Sequence, residues 1–180
     1  MLTKEQVRKS VKTRLSALDD ADRGARDAAI AARFLSTAEY RLASSLFLYH
    51  STAREAGTHI ILERALADGK TVYLPRVEGE KMFLVPYQAD DPLTVGAFGI
   101  LEPTGKAANV IPDLAVIPLV AFDRSRARLG KGKGYYDRFL ASYGGTSIAI
   151  AYAEQEVDAV PTEPFDVAPQ AIITDKEGIR

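Results

Sequence analysis

A chain of 180 residues, 47% hydrophobic and 26% charged, has room for one domain with a substantial core. Its formal net charge of -1 excludes a long-range pull toward nucleic acid or acidic membrane, so any anion site has to arise from local clustering. The absence of cysteine excludes a disulfide framework and thiolate chemistry, and fits a reducing compartment. No apolar run approaches membrane-spanning length, and the segment MLTKEQVRKS is too charged for a signal peptide. A cytoplasmic, monomeric protein with one domain over residues 1–180 is expected.

Thr3 and Gln6 have the spacing of a capping box, and Val7, Val11, Leu15 and Leu18 recur at helical spacing, which predicts a helix to about Ala17. Asp19 or Asp20 caps a second helix, carried by DAAIAARFL to about Leu35. SLFLYH has the length and flanks of a buried strand, and Thr58 to Ala67 reads as a helix closed by Gly69. TVYLP and KMFLVP are the next two strands. Glycine, proline and acidic residues dominate from Gln88 to Asn109, which predicts loop with a short strand near Phe98 to Leu101. DLAVIPLV is another buried strand and leads into the basic glycine loop RARLGKGKG. The following helix has Tyr136, Phe139, Leu140 and Tyr143 on one face and ends at Gly144-Gly145; SIAIAY and AIIT close the chain as strands. This alternation predicts a Rossmann-like, three-layer α/β/α fold: a mostly parallel sheet, helices on both faces, and ligands outside the carboxyl ends of the strands.

The glycine loop stands at such an end. Gly130, Gly132 and Gly134 free the backbone to turn N–H groups toward one point, and a helix N-terminus immediately beyond adds partial positive charge. Lys131, Lys133 and Arg128 add full charges, so the segment suits a phosphate, although an ordinary solvated surface loop has the same composition. It is neither a Walker A loop nor a dinucleotide fingerprint, because the Ser or Thr and the glycine spacing differ. Tyr135 is free to meet a flat ligand, whereas Tyr136 also belongs to the apolar helix face. Asp137 complements the helix dipole or, beside a bound phosphate, contacts magnesium. Lys4 and Arg8, one turn apart, either curl inward over the fold's edge or form a solvated face. Glu55 follows a strand, where it accepts hydrogen bonds from an amino-bearing ring or caps the helix at Thr58. His50 and His59 are too isolated for a metal cluster, and are read as a strand-end and a helix-surface residue.

Lys4 and Arg8, "EAGT" at Glu55 to Thr58, "LPR" at Leu74 to Arg76, "GAFGILEP" at Gly96 to Pro103, "VIPLVAFD" leading into "RLGKGKGYYDR", and the tail "PTEPFD…IIT" together resemble the 5-formyltetrahydrofolate cyclo-ligase family over almost the full length. The resemblance implies an enzyme that couples ATP hydrolysis, with magnesium, to closure of 5-formyltetrahydrofolate into 5,10-methenyltetrahydrofolate. It implies that Lys4 and Arg8 hold ATP phosphates. Arg128, Leu129, Gly130, Lys131, Gly132, Lys133, Gly134, Tyr135 and Tyr136 would wrap the triphosphate, and the stretch from Lys131 onward would also present it to the folate. Arg128, Lys131 and Lys133 would be catalytic, Glu55 would anchor the pterin, and Asp137 and Asp175 would contact the metal. Two departures stand out: Arg126 occupies a usual glycine position, and Phe165 a position often filled by histidine.

Three other readings share some of these features. A related scaffold serves sugar-phosphate isomerases and acyl-CoA transferases, which have no use for alternating lysine and glycine. A nucleotide- or folate-binding module without turnover would keep the loop. A track for single-stranded nucleic acid would need more than one loop.

Overall fold

The computed structural model describes residues 2–180. Helix α1 spans Lys4–Ser16, and its start has the expected capping box: the Gln6 N–H donates to Thr3 Oγ1 at 3.2 Å and the Thr3 N–H to Gln6 Oε1 at 2.8 Å. Helix α2, Asp20–Leu35, is capped in the same way by Asp19, and a short helix α3, Ala38–Leu42, follows it. Strand β1 (Ser45–Phe47) then enters the sheet, followed by α4 (His59–Ala67), β2 (Thr71–Glu78) and β3 (Lys81–Tyr87). Two short strands, β4 (Leu93–Val95) and β5 (Leu101–Pro103), precede β6 (Leu114–Ile117), and a two-residue ribbon joins β7 (Ala121–Phe122) to β8 (Arg128–Leu129). Helix α5 (Tyr135–Ser142) leads to β9 (Thr146–Ala151), β10 (Ala171–Thr174) and β11 (Gly178–Ile179). No helix among the described residues is long and apolar enough to cross a membrane.

The central sheet has seven strands in the order β11-β10-β9-β6-β1-β2-β3. Its five inner strands are parallel, and β3 and β11 join antiparallel at the two edges. Renumbered among themselves, the parallel strands run 2-1-3-4-5, so the winding direction reverses between β1 and β6. Both faces of this sheet are covered, which is why its inner strands read as continuous apolar runs. Ile30 and Phe34 of α2 and Ile61 of α4 pack with Leu46, Leu74 and Val116 on one side. On the other, Phe139 and Leu140 of α5 pack with Phe47, Ile117, Ala149 and Ile172. The three-layer order is the one the alternation predicts. Helix α1 lies apart from both layers and seats Val7 and Val11 on Ala121 and Leu129 of the ribbon.

Local departures have physical causes. SLFLYH is strand only through Phe47; the Leu48 N–H still donates to the Tyr73 carbonyl of β2 at 2.9 Å, and Leu48 and Tyr49 stay buried. The strand expected at Phe98 to Leu101 starts at Leu101, because Phe98 lies in a 3₁₀ turn at φ +62°. Helix α3, the ribbon and β11 span five residues or fewer, too short to show a period in the sequence.

Candidate functional site

A cavity of about 650 Å³ opens where the winding reverses. Tyr49 and His50 follow the carboxyl end of β1 into its wall, and Pro118 and Leu119 follow β6. This is the crevice in which a doubly wound sheet binds ligands, since two loops leave there in opposite directions.

The glycine loop forms one side. Gly132 at φ +101° and Gly134 at φ +72° take backbone conformations that a side chain disfavours, and Gly134 turns the chain directly into α5. The first turn of α5 has no side-chain cap, so its amide hydrogens stand at the loop. Arg8 reaches over from α1 and donates from Nε to the Gly130 carbonyl at 3.0 Å. Its position on the inward edge of the Val7–Val11 seam therefore braces the loop instead of pointing to solvent. Leu129 is buried with Val7 and Val11 and anchors the loop's start.

Three of the cations, Lys4, Lys131 and Arg128, are already engaged with acids of the same cavity. Lys4 Nζ lies 2.6 Å from Glu163 and 2.9 Å from Asp166, and these two carboxylates raise its pKa in spite of the lowering effect of desolvation. Lys131 Nζ lies 2.7 Å from Glu55 Oε1, whose other oxygen accepts from the Thr52 N–H at 2.8 Å. Glu55 thus belongs to the cavity and does not cap the helix at Thr58. Arg128, only 5% exposed, donates to Asp137 Oδ1 at 2.6 Å, while its buried Nε has no hydrogen-bond partner. Among the described residues Lys133 has no carboxylate partner; its ammonium sits 5.3 Å from the centre of the Phe98 ring.

The two tyrosines separate in role. Tyr135 donates its hydroxyl to the Gly79 carbonyl at 2.6 Å, tying the loop to the β2–β3 turn. Tyr136 stacks against Phe47 at 6.2 Å, so it is both core and cavity wall, and burial followed by the nearby Glu55 charge pushes its hydroxyl pKa up. The same burial raises Tyr49.

Asp175 stands apart from the other candidate residues. Its carboxylate lies 2.8 Å from Arg26 and accepts the Ala153 N–H at 2.7 Å, and it is not part of the cavity wall. It caps the turn after β9. Asp137 remains, with Oδ1 shared between Arg128 and the Val167 N–H. Among the described residues no group of three or more potential ligands could hold a metal by itself. A lone carboxylate does fit magnesium bound largely by phosphate oxygens and water.

Sequence reasoning assigned no role to Tyr49, Phe98, Ile100, Glu102, Glu163, Phe165 or Asp166, all of which line the cavity. The signal for most of them lay within "GAFGILEP" and "PTEPFD", where unlike side chains at irregular spacing face one cavity. His50, read as a strand-end residue, is there as well, half-buried, whereas His59 is exposed on α4.

The model of the 5-formyltetrahydrofolate cyclo-ligase family matches residues 1–175. The chain is 36% identical to the 5-formyltetrahydrofolate cyclo-ligase of Haemophilus influenzae over 143 residues, 74% of this chain and 76% of the relative. It is 32% identical to that of Escherichia coli K12 over 144 residues, 74% of this chain and 79% of the relative. The NMR structure of Aquifex aeolicus 5,10-methenyltetrahydrofolate synthetase superposes with a TM-score of 0.88 at 31% identity, covering 99% of this chain and 93% of that one. A match over nearly every residue, joined to a cavity where the glycine loop and the reversal of the sheet meet, makes this chain a member of the 5-formyltetrahydrofolate cyclo-ligase family of enzymes.

Proposed function

We propose that the chain closes 5-formyltetrahydrofolate into 5,10-methenyltetrahydrofolate with ATP and magnesium, releasing ADP and phosphate, and that it acts as a cytoplasmic monomer. The observation that carries this reading is the convergence of Lys131, Lys133, Arg128 and Glu55 on one cavity at the switch point. Its two chemistries match two substrates: amides and cations for a triphosphate, and a carboxylate with aromatic walls for a flat heterocycle.

A formamide oxygen is a poor leaving group. Bound ATP supplies the phosphoryl group that converts it into phosphate, with magnesium neutralising charge on the phosphate oxygens. Lys133, which has no carboxylate to leave, meets the outer phosphate; Lys131 joins it by exchanging Glu55 for the ligand. Arg8 and Lys4 hold the inner phosphates from α1, and Asp137 is the protein's contact to magnesium. Glu55, released from Lys131, accepts hydrogen bonds from the pterin, and Tyr136 closes the wall between the two substrates. Catalysis is then mostly positioning and charge stabilisation, and needs no covalent enzyme nucleophile. The folate N10 attacks the activated carbon and phosphate departs.

Incubation with magnesium, ATP and 5-formyltetrahydrofolate is expected to develop the absorbance of the methenyl product. ATP binding without that product would overturn the reading in favour of a binding module. Replacement of Lys133 by Ala is expected to lower kcat by roughly 10²–10³-fold, the scale of losing one transition-state contact, with unchanged thermal unfolding; wild-type turnover in that variant would remove Lys133 from the mechanism.

A further inference from the structure

Five carboxylates reach the cavity: Glu55, Glu102, Asp137, Glu163 and Asp166. Four have a cation within 3 Å: Lys131 on Glu55, Arg128 on Asp137, and Lys4 on both Glu163 and Asp166. Glu102 has none among the described residues, although it is only 7% exposed. Its Oε1 accepts the Val77 N–H at 3.1 Å, and no hydrogen bond to Oε2 is formed. The fold makes room for it deliberately: a Cβ at Gly96 would collide with the Glu102 carboxyl group. Val77, Met82, Phe98 and Ile100 line the same cavity and add apolar wall to it. A carboxylate that is mostly buried and has no cation beside it is unusual, and a positively charged ligand in the cavity would suit it.

We infer that Glu102 is a further catalytic residue, the counter-charge for the cation that ring closure creates. The inference rests on the proposed function. The reacting centre begins as a neutral N5 formamide beside a neutral N10–H. When N10 bonds to the carbon, the carbon–oxygen bond breaks toward phosphate. The phosphate leaves with the formyl oxygen and accounts for the N10 proton, and the N5–CH–N10 unit is left as an amidinium with one positive charge. The cations gathered for the triphosphate oppose that charge, so an anion facing the folate from the β5 side offsets them where it forms. Glu102 is the cavity carboxylate with no other charge to satisfy.

The test separates charge from shape. Glu102→Gln keeps the oxygen that accepts from Val77 and removes only the charge; Glu102→Asp keeps the charge at shorter reach. Dissociation constants for 5-formyltetrahydrofolate and for the cationic 5,10-methenyl product are measured by titration without ATP, and kcat under saturation. Glu102→Gln is expected to weaken product at least fivefold, to leave substrate within twofold, and to lower kcat at least thirtyfold, with Glu102→Asp between it and the wild type. Equal weakening of both folates, or no change in either kcat or product affinity, would overturn the inference. Should Glu102→Gln fail to fold, the product-to-substrate affinity ratio of Glu102→Asp decides: a ratio unmoved while kcat is retained also overturns it. Wild-type enzyme that forms no methenyl product would refute the function itself, an outcome distinct from any result on the variants.

Discussion

Arg126 sits at φ +68°, in the left-handed region that costs a residue with a Cβ about 1–2 kcal/mol. The turn demands it: the Arg126 N–H donates to the Asp123 carbonyl at 2.9 Å, and the chain must reverse there to start β8. Its half-buried side chain recovers part of the cost by donating to the Gln170 carbonyl at 2.6 Å. Arg126→Gly is therefore expected to be neutral or to stabilise the protein by up to about 1 kcal/mol in urea unfolding, with turnover unchanged. A loss of more than about 1 kcal/mol would mean that the bond to Gln170 outweighs the backbone strain. Arg126 does not line the cavity, so the departure from glycine falls on the turn before β8.

The β7–β8 ribbon shows how an element too short to stand alone is held. Asp123, buried at the ribbon's turn, accepts from the Ser125 N–H at 2.9 Å, the Ser125 hydroxyl at 2.6 Å and the Ala127 N–H at 3.2 Å on one oxygen. Its other oxygen accepts the Val160 N–H at 2.8 Å. Burial alone would raise its pKa, but these four donors outweigh it and the net shift is downward. A carboxylate depressed in the folded state stabilises above its unfolded pKa of about 3.9, and that contribution is lost as pH falls through the folded value. Asp123→Asn is expected to cost about 3 kcal/mol at neutral pH and to flatten the fall in stability below about pH 4, read from urea unfolding across pH. Because the ribbon carries Arg128 into the cavity and supports α1, this variant should lose activity before it loses secondary structure. At the same scale, Phe47 links strand to site: it lies between Tyr136 at 6.2 Å and Phe139 at 4.9 Å. Phe47→Ala is expected to cost about 3–5 kcal/mol in chemical unfolding and to loosen the first turn of α5.

The layers and the parallel centre of the molecule were legible because strands covered on both faces leave apolar runs and covering helices leave a 3.6-residue period. The glycine loop was legible because Gly130, Gly132 and Gly134 carry their own geometry. What pairs with that loop was not: Glu163 and Asp166 meet Lys4 across 159 and 162 residues, and Glu102 depends on the shape of a turn whose Phe98 breaks the strand pattern. Contacts of that range follow from the sheet order and have no local signature. The assembled site joins segments from α1 to the loop after β9, so a ligand held there ties distant parts of the chain together. At 100 times its dissociation constant, such a ligand adds about 2.7 kcal/mol to the folded state. For a protein of this length that corresponds to a rise in Tm of roughly 5–11 °C with magnesium and ATP. Arg8→Ala and Lys133→Ala should each shrink the shift at the same ligand concentration, while Asp175→Asn, away from the cavity, should leave it as in the wild type. A wild-type Tm that does not respond to the nucleotide would show that the triphosphate is not bound where the glycine loop, α1 and α5 meet.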